Sequence, residues 1–129
     1  WWFRQLLEDR TLTIFGDGLQ VRDFNYVDDV VEALLMVAAN EVADGQIYNL
    51  GSDDPINLLN LARLLIEVNQ GGAFELLSFP AERKRIDIGD YYGDYRRIRS
   101  KLGWRPLVGL RDGLTRTMDY FRENLEHYV

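Results

Sequence analysis

The stretch from Thr11 to Ala38 changes hydrophobic period twice in quick succession, and this limits the folds open to the chain. Residues 11–15 alternate β-forming side chains and stop at Gly16-Asp17-Gly18, which predicts a short strand running into a turn. A second extended piece follows through Val21, Phe24 and Tyr26. From there Val27, Val30, Val31, Leu34, Leu35 and Ala38 recur at helical spacing, and Asn40 ends the helix. Asp28 and Asp29 stand at its start, where carboxylates suit the positive end of the helix dipole, so both read as caps. Short strands interleaved with one-sided helices describe a mixed α/β unit.

The remainder continues the pattern. Residues 46–50 read as a short strand into Gly51. Pro55 and Asn57 introduce a helix to about Asn69, with Leu58, Leu61, Ala62, Leu65 and Val68 on one face. Gly71 and Gly72 break it, and residues 73–79 form another strand ending at Pro80. The charged stretch 81–93 reads as a long irregular loop with one short strand. A helix from about Asp94 to Leu102 stops at Gly103, a residue suited to the left-handed cap. A last helix from about Leu110 to Leu125 buries Leu110, Leu114, Met118, Phe121 and Leu125. No repeat or linker divides the chain, so residues 1–129 are expected to form one domain. Trp1, Trp2 and Phe3, with Leu6 and Leu7 behind them, make an apolar patch. Either it docks on the chain's own core, or the helix belongs to a longer protein. If uncovered, it predicts self-association into a homo-oligomer.

Composition removes several function classes. A net charge of −6 argues against non-specific nucleic-acid binding, yet leaves room for a small anion held by local arginines. There is no cysteine, so disulfides and thiolate chemistry are excluded, and the lone His127 cannot build a histidine metal cluster. No apolar run is long enough to span a bilayer and no signal peptide is visible, so no membrane partner and a cytoplasmic location are expected.

Two catalytic signatures are missing. Gly16-Asp17-Gly18 leads into an extended segment rather than a helix, so it is not the glycine-rich turn on which a dinucleotide pyrophosphate rests. A proton-transferring Tyr-x-x-x-Lys pair is also absent: Lys84 and Lys101 are preceded at that spacing by Pro80 and Arg97.

What the sequence does contain is the run from Leu12 through Gly16-Asp17-Gly18, Gln20, Arg22-Asp23-Phe24 and Tyr26-Val27-Asp28-Asp29 to Val30. Tyr48-Asn49-Leu50-Gly51-Ser52, Pro55 and Leu102-Gly103-Trp104-Arg105-Pro106 follow it. In order and spacing these resemble, over nearly the whole chain, the extended short-chain dehydrogenase/reductases that act as NAD-dependent nucleotide-sugar epimerases and dehydratases, UDP-glucose 4-epimerases among them. The resemblance implies the carboxy-terminal, substrate-binding lobe of such an enzyme, a small mixed α/β unit lacking the Rossmann domain. NAD and the Tyr–Lys pair would then belong to the amino-terminal Rossmann half, which is the expected partner. The chain alone would be inactive. The full enzyme would oxidise the sugar transiently at C4, the step from which epimerisation, dehydration and decarboxylation branch.

The resemblance also implies site residues for a nucleoside-diphosphate sugar. Arg22 is expected on the diphosphate, since a guanidinium can bind two phosphate oxygens at once; otherwise it pairs with Asp23 or Asp29 at the surface. Thr13, Ile14 and Phe15 are expected beside the base, or else form an ordinary edge strand, and Gln20 stands next to the arginine. The family commonly places an arginine ten residues before the aspartate that starts the short helix; here, ten before Asp94, stands Lys84, between Arg83 and Arg85 and ahead of Asp87. Lys84, Arg85 and Asp87 therefore join the candidates, against a plain solvated loop. Tyr48, Asn49 and Trp104 read as structural. Two rivals remain: a stand-alone nucleotide- or protein-binding module, and an acidic interaction domain using its aromatic start.

Overall fold

The computed structural model describes residues 1–128, the side chain of Arg83 apart. Strand β1 (Leu12–Phe15) buries Leu12 and Ile14 almost completely and leaves Thr13 and Phe15 half-buried on its other face, as a period of two requires. It ends in the expected turn, where Gly18 adopts φ +70° and the Leu19 amide donates to the Asp17 carboxylate at 3.0 Å. A side chain on Gly18 would also press on Ile14 and Leu59, so the position favours glycine twice over.

The chain then runs through β2 (Val21–Arg22), α2 (Val27–Ala38) and β3 (Ile56–Asn57) to α3 (Leu58–Asn69) and β4 (Phe74–Leu77). β1 pairs in parallel with β4, Leu12 opposite Phe74 and Phe15 opposite Leu77, while β2 pairs antiparallel with β3. A parallel pair needs a long crossover, and α3 lies within it. Asn57 caps α3 by accepting the Asn60 amide at 2.8 Å, the interaction that asparagine supplies best at a helix start.

Two cores follow. In the larger, Leu61, Ala62 and Leu65 of α3 meet Leu12, Ile14, Leu6 of α1 (Trp2–Leu7) and Met118 of α6 (Leu110–Asn124). Trp2 and Phe3 pack against this cluster, and Phe3 stacks on Phe121 with centroids 5.7 Å apart. The aromatic start thus docks on its own core except for Trp1, which is exposed.

The smaller core joins α2 to α5 (Arg96–Leu102) through Ala33, Ile98, Tyr95 and Trp104. The Trp104 indole donates to the Asp29 carbonyl at 2.9 Å and its ring meets Tyr95 edge-on. Asp29 is no cap. Its buried carboxylate accepts the amides of Leu107 and Val108 at 3.1 and 3.0 Å, clipping that loop to α2, whose N-cap is Tyr26. Two backbone donors delivered by the loop satisfy a carboxylate that would otherwise be costly to bury. Asp28 stays exposed in the first turn.

Three expectations are corrected. Residues 46–50 are not a strand: no neighbouring strand among the described residues pairs with them, and an extended segment without a partner is no sheet. Tyr48 and Leu50 pack instead on the smaller core. The loop 81–93 contains no strand but a single turn of helix, α4 (Ala81–Lys84). Finally, the apolar stripe of α2 does not face inward. Ala33, Met36 and Val37 meet the core, while Val27, Val31, Leu34 and Leu35 are 60%, 46%, 63% and 65% exposed. No helix of the described residues is long and apolar enough to cross a membrane.

Candidate functional site

β1 has β4 on one side and, among the described residues, no strand on the other. Along it lies an open cleft of about 770 Å³. Thr13, Ile14 and Phe15 of β1 line it, with Gln20 and Arg22 from the segment beyond the glycine turn and Asp87 from the loop that follows α4. Trp2, Leu58, Leu77, Phe79 and Ile86 supply apolar wall. Phe15 and Phe79 stand with ring centroids 6.0 Å apart, tilted by 44°. Gly16 passes against the Phe79 ring. Aromatic faces suit a flat heterocycle, and the guanidinium suits an anion.

Arg22 is held from behind. Its Nη1 donates to the carbonyls of Val21, at 2.7 Å, and Gly89, while Nη2 reaches an Asp87 carboxylate oxygen at 3.4 Å. The surface pairings weighed for it do not form: Asp23 instead accepts the Gly93 amide at 2.9 Å and Asp29 serves the 107–108 loop. Backbone bonds therefore fix the guanidinium at the cleft with donors to spare.

Of the residues singled out in the sequence, Thr13, Ile14, Phe15, Gln20, Arg22 and Asp87 come together around this cleft. Lys84 and Arg85 do not line it; both are exposed at and just beyond the end of α4. The Arg83 side chain, the third of that basic run, lies outside the described residues. Sequence reasoning missed Phe79 and Leu58. Phe79 carried a signal, an aromatic at a strand end just before Pro80, but its partner Phe15 lies on a strand distant in sequence.

A second opening of about 480 Å³ is lined by Trp1, Phe3, Arg4, Gln5, Arg10, Phe121 and Tyr128. Both of its arginines already engage Glu8. Elsewhere the titrating groups serve structure. Hydrogen bonds from the Arg96 guanidinium, and then from its backbone amide, hold the Asp94 carboxyl at the start of α5 down to about 2. The Tyr95 hydroxyl donates to Asp53, which pushes the phenol above its ordinary value.

Comparison with known proteins puts this fold and cleft in context. The sequence model of the NAD dependent epimerase/dehydratase family matches residues 1–51. UDP-glucuronic acid decarboxylase 1 of Xenopus tropicalis is 36% identical over 127 residues, 95% of this chain and 28% of that protein. Among solved structures, a UDP-glucose 4-epimerase of Thermotoga maritima with UDP-glucose superposes with a TM-score of 0.82 at 32% identity, covering 96% of this chain and 38% of that one. A dTDP-glucose 4,6-dehydratase of Streptomyces venezuelae with NAD and TYD bound reaches 0.85 at 29% identity, covering 98% and 38%. Fold and sequence together resemble a segment of the extended short-chain dehydrogenase/reductases. The chain is similar over nearly its whole length to members of the NAD-dependent epimerase/dehydratase family, whose model matches its first 51 residues. It spans little more than a third of these solved relatives.

The Gly16-Asp17-Gly18 turn is not the glycine-rich helix entry of a dinucleotide site. Beyond β1 the glycine turn leads to β2, and the next helix begins only at Val27, so no helix N-terminus with a glycine-rich entry faces a pyrophosphate.

Proposed function

We propose that residues 1–129 form the carboxy-terminal, substrate-binding lobe of an NAD-dependent nucleotide-sugar epimerase or dehydratase. The cleft beside β1 holds the nucleoside diphosphate: Thr13, Ile14 and Phe15 border the base, and Gln20 and Arg22 border the phosphates. The observation that carries this reading is Arg22, backbone-held on the wall of a cleft that also presents two phenylalanine rings. A relative crystallised with UDP-glucose and one with TYD support the ligand class. Lys84 and Arg85, exposed beside the cleft loop, are reserve cations for the phosphates rather than fixed contacts. NAD and the proton-transferring groups come from the rest of the enzyme, and this lobe alone turns nothing over.

Helix α2 favours this over a stand-alone module. A helix that carries a second, outward apolar stripe beside its core-facing one has surface to bury against a larger body. Burying Val27, Val31, Leu34 and Leu35 is worth about 1.5–3 kcal/mol each, which a second lobe would recover.

The test is calorimetric titration of UDP and dTDP into the full-length protein carrying Arg22→Ala or Arg22→Lys. Losing charge-assisted bonds worth about 1.5–3 kcal/mol predicts a roughly ten- to hundredfold loss for alanine. Lysine recovers part of it, because an ammonium lacks the two-pronged geometry. Wild-type affinity in Arg22→Ala would remove the diphosphate role.

A further inference from the structure

Two strands deliver an aromatic ring to the same end of the cleft. β1 and β4 run in parallel with Phe15 opposite Leu77, so both reach their carboxyl ends side by side. The crevice beyond such ends is where parallel strands take ligands. Phe15 is the last residue of β1, and Phe79 stands two residues past the end of β4. That offset returns Phe79 to the side of Leu77, and both line the cleft together with Phe15. Phe79 is half-buried there, between an exposed Ser78 and an exposed Pro80.

The ring is held in place without being sealed off. The Gly16 amide donates to the Leu77 carbonyl at 2.8 Å, which ties the strand ends together just before Phe79. Gly16, at φ +79°, lacks the β-carbon that would come 3.0 Å from the ring, so the aromatic lies directly on the turn. Pro80 restricts the residue before it to extended backbone, which leaves the ring few other places to go. Phe15 props it from the side, with centroids 6.0 Å apart. A base sandwiched flat between the two would need about 7 Å, twice an ordinary carbon contact. Rings tilted by 44° instead make a corner, in which a base lies on one face and meets the edge of the other.

We propose that Phe79 is a second base-binding residue, whose ring supplies the stacking face of this corner while Phe15 supplies its side. This rests on the assignment of the cleft to a nucleoside diphosphate. A ring face carries no donor or acceptor in its plane, so Phe79 adds affinity for flat heterocycles as a class and none for the phosphates, which fall to Arg22. The two ends of the ligand are then held by parts of the chain far apart in sequence, one by β2 and the other by the segment after β4.

Titration of UDP and of inorganic pyrophosphate into full-length wild type, Phe79→Ala, Phe79→Leu, Phe79→Tyr and Arg22→Ala tests the idea. Phe79→Ala is expected to bind UDP about tenfold more weakly, the usual effect of removing one stacking ring, and pyrophosphate as wild type does. Phe79→Leu keeps apolar bulk without a π face and is expected to remain about threefold or more weaker for UDP, whereas Phe79→Tyr keeps the ring and the affinity. Wild-type UDP affinity in Phe79→Ala or Phe79→Leu, with Arg22→Ala still defective, overturns the stacking role and leaves the site reading intact. Equal losses for UDP and pyrophosphate in both variants would make the ring a structural support of the cleft and overturn the role as well. If Arg22→Ala binds both ligands as wild type does, the site reading itself falls.

Discussion

A carboxylate's meaning in this chain depends on which backbone amides reach it. Asp29 and Asp23 sit in the same motif, yet Asp29 clips residues 107 and 108 to α2, and Asp23 takes the amide of Gly93. Removing the Asp29 carboxylate leaves two part-buried amides without their partners. Asp29→Ala is therefore expected to cost about 2–4 kcal/mol, and Asp29→Asn, which keeps one acceptor, roughly half of that. Denaturant unfolding monitored by Trp104 fluorescence measures both, since the indole bonds to the Asp29 carbonyl. A loss below about 1 kcal/mol in Asp29→Ala would show that the clip is not structural. Nothing local in the sequence announces this role. A pair of aspartates before an apolar run satisfies every rule for a helix cap, and the donors that decide otherwise lie far along the chain.

Elements whose causes are local were legible: β1 with its glycine turn, α3 behind its asparagine cap, and α5 closed by Gly103 at φ +78°. So was one wall of the cleft, because one unbroken run of sequence from Thr13 to Arg22 supplies five of its lining residues. The segment 46–50 was not, because a strand exists only through its neighbour. Helix α2 was half legible: periodicity gave its position, but a helix with apolar residues on two faces does not declare which face meets which body. Its outward face makes a sharp prediction. Leu34→Glu combined with Leu35→Glu is expected to change the stability of the 129-residue chain by no more than about 1 kcal/mol, as two exposed sites do. In the full-length protein the same pair is expected to cost several kcal/mol, since each buried leucine contributes about 1.5–3. Thermal unfolding of the two proteins side by side decides it, and equal shifts would mean that the face stays bare.

At the scale of the whole molecule, the parallel pairing of β1 with β4 sets an order of assembly. Leu12 meets Phe74, 62 residues further on (74 − 12), so that contact closes a long loop before it returns any hydrogen bond. Helices α3 and α6 draw on contacts within a turn and form on a faster clock. The wall of the cleft is thus the part of the protein completed late. In pulse-labelled refolding, the amides of Leu12 and Gly16, which bond across to the β4 segment, are expected to gain protection after those in the middle of α3. Simultaneous protection would contradict this. A newly made chain would then pass through a stage with its helices in place and its ligand cleft unformed, the stage at which an unpaired β1 is most open to pairing with another molecule.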